Sequence, residues 1–196
     1  IILLEPTRDG YVFDGWFEES DFSGTDVTEI TLGSSGDITL YAKWVYEAVA
    51  ETTYTEDFSF VTSSSSSYSS SITHTDGNSF DWDLLGRAGG ADGFGLGNSA
   101  DGSYIQVTAQ GGISSFTIDI VRMFTNTNTR SVELFVNNTS YGSFTVDSSS
   151  NTPQTWTVEN INITGEVIIK LISTSPGSRG AMDVQSFEWT TYTNPE

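Results

Sequence analysis

Large apolar residues alternate with small or polar ones along most of this chain, the period-two pattern of a half-buried strand. Residues 10–16 (GYVFDGW) and 38–44 (ITLYAKW) are the first two such runs. Residues 56–61 (EDFSFV) form another, and the pattern is cleanest after position 100. There it predicts strands over 104–107, 113–124, 156–158, 167–171 and 182–192. Phe116, Ile118 and Ile120 fall on one face. Residues 131–137 and 141–146 read as a hairpin, with Val132, Leu134 and Val136 facing inward and the turn at Asn137-Asn138-Thr139-Ser140. Eight or more short strands separated by turn residues predict an all-β chain whose larger part is a jelly-roll β-sandwich.

The pattern divides the chain into a small β-rich module over 1–45, a connection over 46–55 (YEAVAETTYT) and the sandwich over 56–196. Tyr11, Trp16, Tyr41 and Trp44 are the expected core of the first module, since aromatics dominate small cores. Two stretches of the sandwich read as loops. One is the serine-rich VTSSSSSYSSSIT, the other the glycine-rich AGGADGFGLGNSADG.

Composition changes this picture in three ways. Aromatics make up 13% of the chain, with Thr, Ser, Gly and Asn plentiful, which suits strands and turns rather than helices. The cysteine count is zero, which excludes disulfide scaffolds, thiolate metal sites and cysteine nucleophiles. The chain carries 26 acidic against 7 basic residues, a net charge of -19. It has no Lys/Arg cluster to meet a phosphate backbone or an anionic bilayer, so neither nucleic-acid binding nor direct membrane insertion is expected.

Residues 6–16 (PTRDGYVFDGW) and 40–44 (LYAKW) resemble the internalin-type B repeat, also called the Listeria–Bacteroides repeat, of bacterial surface proteins. The resemblance rests on Pro6, Thr7, Arg8, Gly10, Tyr11, Phe13, Gly15, Trp16, Gly24, Leu40, Tyr41, Ala42, Lys43 and Trp44. It implies an extracellular or cell-surface location and a role as spacer or adhesive stalk. Such repeats begin with a strand ahead of the PTR segment, so the natural protein is expected to extend beyond Ile1. From Glu56 the order of motifs is similar to the accessory β-sandwich of secreted bacterial proteins and to carbohydrate-binding jelly rolls. The matching features are the EDF opening, Gly86-Arg87, the strand with Gly111, Gly112, Ile113 and Phe116, the turn Thr164-Gly165-Glu166-Val167 and the closing strand from Asp183 to Trp189. That closing strand departs from the commoner form at Val184-Gln185.

No catalytic constellation emerges. His74 is the single histidine and no G-x-S-x-G elbow accompanies it, so it reads as a loop residue rather than a triad member. For sugar binding the candidates are Trp82, Arg87, Arg122, Phe124, Asn126, Asn128 and Arg130. Aromatic rings can stack on a pyranose, and Arg and Asn can bond its hydroxyls. The MFTNTNTR loop concentrates several of them. Burial of the strand tryptophans in the core, and pairing of the two Arg with nearby carboxylates, are the competing readings. The jelly-roll resemblance further implies a structural calcium between opening and closing strands, held by Glu56 or Asp57 together with Asp183. Asp76-Gly77-Asn78 is a second loop candidate for a hard cation. The expected function is non-catalytic carbohydrate binding. The alternatives are a stalk that contacts a surface or matrix protein, and an accessory domain of an extracellular nuclease or other hydrolase whose catalytic part lies outside this chain.

Overall fold

The computed structural model describes residues 1–47, 50–61, 70–88, 93–97, 102–175 and 180–193. Among these there are thirteen strands and no helix. The chain separates into a first unit, Ile1–Ala50, and a second that begins at Glu51.

In the first unit β1 (Tyr11–Phe17) pairs antiparallel with β2 (Tyr41–Tyr46). The register shifts between Phe13 and Trp16, where Gly15 takes a φ of 114°, a value open to glycine. This bulge interrupts the alternation that the sequence suggests. Phe13 and Trp16 come together, and Phe13 packs edge-on against Trp16 and Trp44. Among the described residues of the unit Phe17 is buried, whereas Tyr41, an expected core residue, is 40% exposed. Lys43 pairs with Asp14 at 2.5 Å, and the Arg8 guanidinium lies 3.8 Å from the Tyr11 ring centroid.

The second unit is a β-sandwich of the jelly-roll class. Its strands are β3 (Thr53–Glu56), β4 (Ser70–Thr75), β5 (Asp81–Ala88), β6 (Phe94–Leu96), β7 (Tyr104–Ala109), β8 (Ser115–Arg122), β9 (Arg130–Val136), β10 (Thr139–Val146), β11 (Gln154–Val158), β12 (Val167–Ser173) and β13 (Met182–Thr190). One layer runs β10-β9-β12-β7-β5-β4. The other is built on β13, which has β8 and then β11 on one side and both β6 and β3 on the other. β5 joins the layers. Its first half, Asp81–Leu85, pairs with β7, and its end, Arg87 and Ala88, pairs with β6. Gly86 sits at the crossing. A Cβ there would lie 2.5 Å from the Phe94 ring and 2.6 Å from the Gly95 carbonyl, so only glycine lets the strands meet.

The inward faces alternate as expected: Phe116, Ile118 and Ile120 on β8, and Val132, Leu134 and Val136 on β9, are fully buried. The β9–β10 hairpin is tighter than the sequence suggests. Asn137 and Asn138 both have positive φ (48° and 64°), the two-residue turn that matches strand twist, and the strand resumes at Thr139. The register shift of β13 falls between Val184 and Ser186, where its sequence departs from the commoner form.

Three expectations are corrected. The opening strand, expected over 56–61, lies at Thr53–Glu56 and begins within the presumed connection, and Asp57–Val61 is a turn segment. The end of the serine-rich run is strand β4, while 62–69 lie outside the described residues. The glycine-rich loop contains the buried strand β6, because Phe94 and Leu96 have a two-sided core to enter.

Between the layers lies an aromatic seam. Trp82 meets Phe58, Phe187 and Trp189 edge-on at centroid distances of 5.9, 5.6 and 6.0 Å. Its indole Nε1 donates to Asp76 Oδ2 at 3.0 Å. Trp82→Ala should therefore lower the unfolding free energy by about 3–5 kcal/mol, the range for a large aromatic removed from a packed core. Guanidinium unfolding of the full chain checks this, and a loss under about 1 kcal/mol would show that the layers do not depend on this ring.

Candidate ligand-binding surfaces

The loop from Met123 to Thr129 leaves β8 and returns as β9 at Arg130. Arg130 is fully buried, unusual for a guanidinium, and every N–H finds an acceptor. Nε donates to the Ala181 carbonyl at 2.9 Å. Nη1 donates to the Asn128 carbonyl and to Ser148 Oγ, both at 2.8 Å, and to the Asn126 carbonyl at 3.2 Å. Nη2 donates to the Phe124 carbonyl and to Asn126 Oδ1, both at 2.9 Å. The partners are main-chain, amide and hydroxyl oxygens, not carboxylates. Burial, and secondarily the charge of Arg122, lowers the Arg130 pKa from its ordinary value.

Arg122 fastens the neighbouring 147–151 loop. Its Nε and Nη2 donate to Asn151 Oδ1 at 2.9 and 2.5 Å, and Nη1 donates to the Ser148 carbonyl. Ser148 Oγ in turn donates to the Asn128 carbonyl at 2.7 Å. Hydrogen bonds from Ser149 hold the Asp147 carboxyl below its usual range, with Arg122 adding to the effect.

Arg122, Asn126 and Arg130, nominated as ligand contacts, are thus the internal frame of this loop pair. Asn128 contributes its carbonyl to the same frame. Phe124 is the exception: its carbonyl is held by Arg130 while the residue is 45% exposed. Trp82 is corrected outright. At 2% exposure, inside the seam, it offers no platform for a ligand. His74 lies on β4 rather than in a loop, and its ring stacks on Phe60 at 4.1 Å and 13°.

The expected calcium ligands do not converge. β3 does neighbour β13, but Glu56 pairs with Phe187, whereas Asp183 pairs with Gly95 and Val121 near the far end of the strand. The separation is about 13 Å along a strand rising ~3.3 Å per residue. Glu56 Oε1 accepts from the Phe58 N–H at 2.5 Å, and Asp57 Oδ1 from the Ser59 N–H at 2.9 Å. Asp76 is committed to its own loop, accepting from the N–H groups of Asn78 and Phe80 at 2.8 and 3.1 Å and from Trp82. Among the described residues no group of three or more acidic or histidine side chains could hold a metal. Asp183 instead shares a cross-strand row with Arg87, since Gly95 pairs with both.

A second surface escaped the sequence reading. Strands β4, β5 and β7 form a groove of about 410 Å³ lined by Thr73, His74, Thr75, Asp81, Trp82, Asp83, Gln106 and Thr108. Thr75 Oγ1 donates to Asp81 Oδ1 at 2.7 Å, and the Tyr104 hydroxyl to Asp83 Oδ2 at 3.0 Å. Burial, reinforced by Asp83, raises the Tyr104 pKa, so the phenol stays protonated and donating at neutral pH. Lys170 Nζ lies 4.0 Å from the Tyr104 ring centroid.

Two outcomes follow. Arg130→Ala removes the donors for four main-chain carbonyls and should destabilise the chain by at least about 3 kcal/mol in guanidinium unfolding. Arg130→Lys should restore little, because one ammonium cannot span the fork. Glu56 behaves oppositely. Its pKa is raised from 4.5, first by burial and then by Asp57 and Asp76, against the Phe58 hydrogen bond. The folded state thus holds the proton more tightly, and stability falls as pH rises above 4.5 through the raised value. Glu56→Gln should melt higher than the parent at pH 7, the gap closing near pH 4. A gap that is constant with pH would refute this.

A search of curated proteins returned no match. Among solved structures the chain is similar to a carbohydrate-binding module CBM36 in complex with calcium and xylotriose, at 22% identity and a TM-score of 0.44, over 61% of this chain and 98% of that one. It is similar to the CBM36-1 domain of a multidomain xylanase from the hindgut metagenome of Trinervitermes trinervoides, at 17% identity and a TM-score of 0.43, over 74% and 99%. It is also similar to a family two carbohydrate esterase from Cellvibrio japonicus, at 15% identity and a TM-score of 0.42. There the match covers 72% of this chain and spans 34% of the esterase. Residues 1–43 match the model of the Listeria-Bacteroides repeat domain.

Proposed function

We propose that the second unit is a non-catalytic carbohydrate-binding module in a secreted or cell-surface bacterial protein, with the repeat unit serving as its spacer. The observation that carries this reading is the 123–129 loop. A fully buried guanidinium spends its donors on the carbonyls of Phe124, Asn126 and Asn128. The apolar core is complete without that network, so what the network specifies is the shape of a surface loop. A loop held this firmly loses little freedom on binding, which is the condition for useful affinity from a small contact area.

Phe124, exposed beside Thr125 and Thr127, supplies the ring for one sugar face, and the threonine hydroxyls supply partners for its edge. Recognition is an equilibrium event without bond making. His74, the one imidazole, is stacked on Phe60 and carries no proton relay in this reading.

Affinity electrophoresis of the full chain through gels containing soluble polysaccharides tests the proposal. Retardation by at least one of them is expected. Phe124→Ala should weaken it by about thirtyfold, the effect of losing a contact worth ~2 kcal/mol, without lowering the melting temperature. Unretarded migration in every gel by a folded chain would overturn the reading.

A further inference from the structure

The groove over β4, β5 and β7 belongs to neither the loop network nor the core. The register shows how it is built. Thr73 on β4 pairs with Asp83 on β5, Asp83 with Gln106 on β7, Gln106 with Lys170 on β12, and Lys170 with Phe135 on β9. One row parallel to it runs Thr75, Asp81, Thr108 and Ile168. Residues paired across antiparallel strands point to the same face, and the alternate residues of these strands (Trp82, Leu84, Val107, Ile169) are buried. The first row therefore crosses the outer face of five strands, about 19 Å at ~4.8 Å per strand.

The chemistry of the row is specific. The two rows together present two carboxylates, a carboxamide, hydroxyls and, beyond the groove, one ammonium. Asp81 and Asp83 are each held by one hydrogen bond from a neighbour, Thr75 and Tyr104 respectively. An ionised carboxylate has about four acceptor sites, so each keeps capacity for a ligand hydroxyl. Gln106 and the threonines add both donors and acceptors. Such a surface matches a chain rich in hydroxyl groups. It does not match an anionic polymer, which would meet two like charges on a molecule of net charge -19.

We propose that this sheet-face groove is a second ligand site, for an uncharged oligosaccharide laid across β4, β5, β7 and β12. It shares the ligand class of the carbohydrate reading but stands on a different observation. Asp83 and Gln106 are its main hydrogen-bonding residues, and Lys170 with the Tyr104 ring closes the end beyond Gln106.

The test is a two-dimensional amide NMR titration of the full chain with cellohexaose, xylohexaose and mannohexaose, and with polygalacturonate as the anionic probe. At least one neutral hexasaccharide should shift the amides of Thr73, Gln106, Thr108 and Lys170 saturably, while polygalacturonate leaves them unmoved. Gln106→Ala and Asp83→Asn should each weaken that binding at least about fivefold, the loss of roughly one hydrogen bond, with the melting temperature unchanged. Phe124→Ala should leave these shifts in place. Shifts confined to 123–130 would overturn the groove and leave the loop reading standing. Equal response to polygalacturonate would overturn the uncharged class. No shift anywhere with any neutral probe would overturn both sites.

Discussion

The second unit depends on β5 being hydrogen-bonded into both of its layers. A single sheet of eleven strands can bury its apolar face only by folding over, and the fold line is set where β5 leaves β7 and joins β6. Gly86 makes that crossing sterically possible, because the Phe94 ring and the Gly95 backbone occupy the space a side chain would take. Once the layers face each other, Phe58, Trp82, Phe187 and Trp189 meet edge to face and close the interior. That closure buries two indole N–H groups: Asp76 satisfies that of Trp82 from the β4–β5 loop, while that of Trp189 has no hydrogen-bond partner among the described residues.

Both candidate binding surfaces are consequences of this arrangement. The groove exists because β5 keeps β4 and β7 as neighbours over its first half, so that the residues alternating with Trp82 and Leu84 stand in rows toward solvent. The 123–129 loop keeps its shape because β13 delivers the Ala181 carbonyl to Arg130 beside the β8 end. One surface is a strand-borne groove, the other a pinned loop, and the same core holds both in place.

The electrostatics run against the overall composition. With 26 acidic and 7 basic residues, the chain has few cations to spend, yet most of those described have a local structural task. Lys43 holds Asp14, Arg8 covers Tyr11, Lys170 covers Tyr104, and Arg122 and Arg130 tie two loops together. The acidic excess is left on the surface, where it favours solubility and repels anionic partners.

Much of the fold was legible in the residues alone. Strict alternation marked β8, β9 and β12, and two consecutive asparagines marked the β9–β10 turn, because period and turn chemistry are local properties. The first module was legible from its aromatic and glycine spacing, save for the bulge at Gly15 and the burial of Phe17 while Tyr41 stays exposed. β6 was not legible: three residues among glycines carry no periodicity, and only a core with two walls makes Phe94 and Leu96 a strand. The sites divide in the same way. A rare arginine in a loop of Asn and Thr drew notice, but whether it faced solvent or the interior rested on Ser148 and Ala181, 18 and 51 residues along the chain. The expected meeting of Glu56 with Asp183 failed for a similar reason. The neighbouring of β3 and β13 was foreseen, but register decides which residues oppose one another, and it set them at different ends of β13. Asp83, Gln106 and Lys170 carry no shared motif, and cross-strand pairing alone brings them into one row. Local periodicity thus determined which residues are strands and which face is apolar. Strand order and register, set by how the whole sheet closes on its core, decided which polar groups stand together on one face.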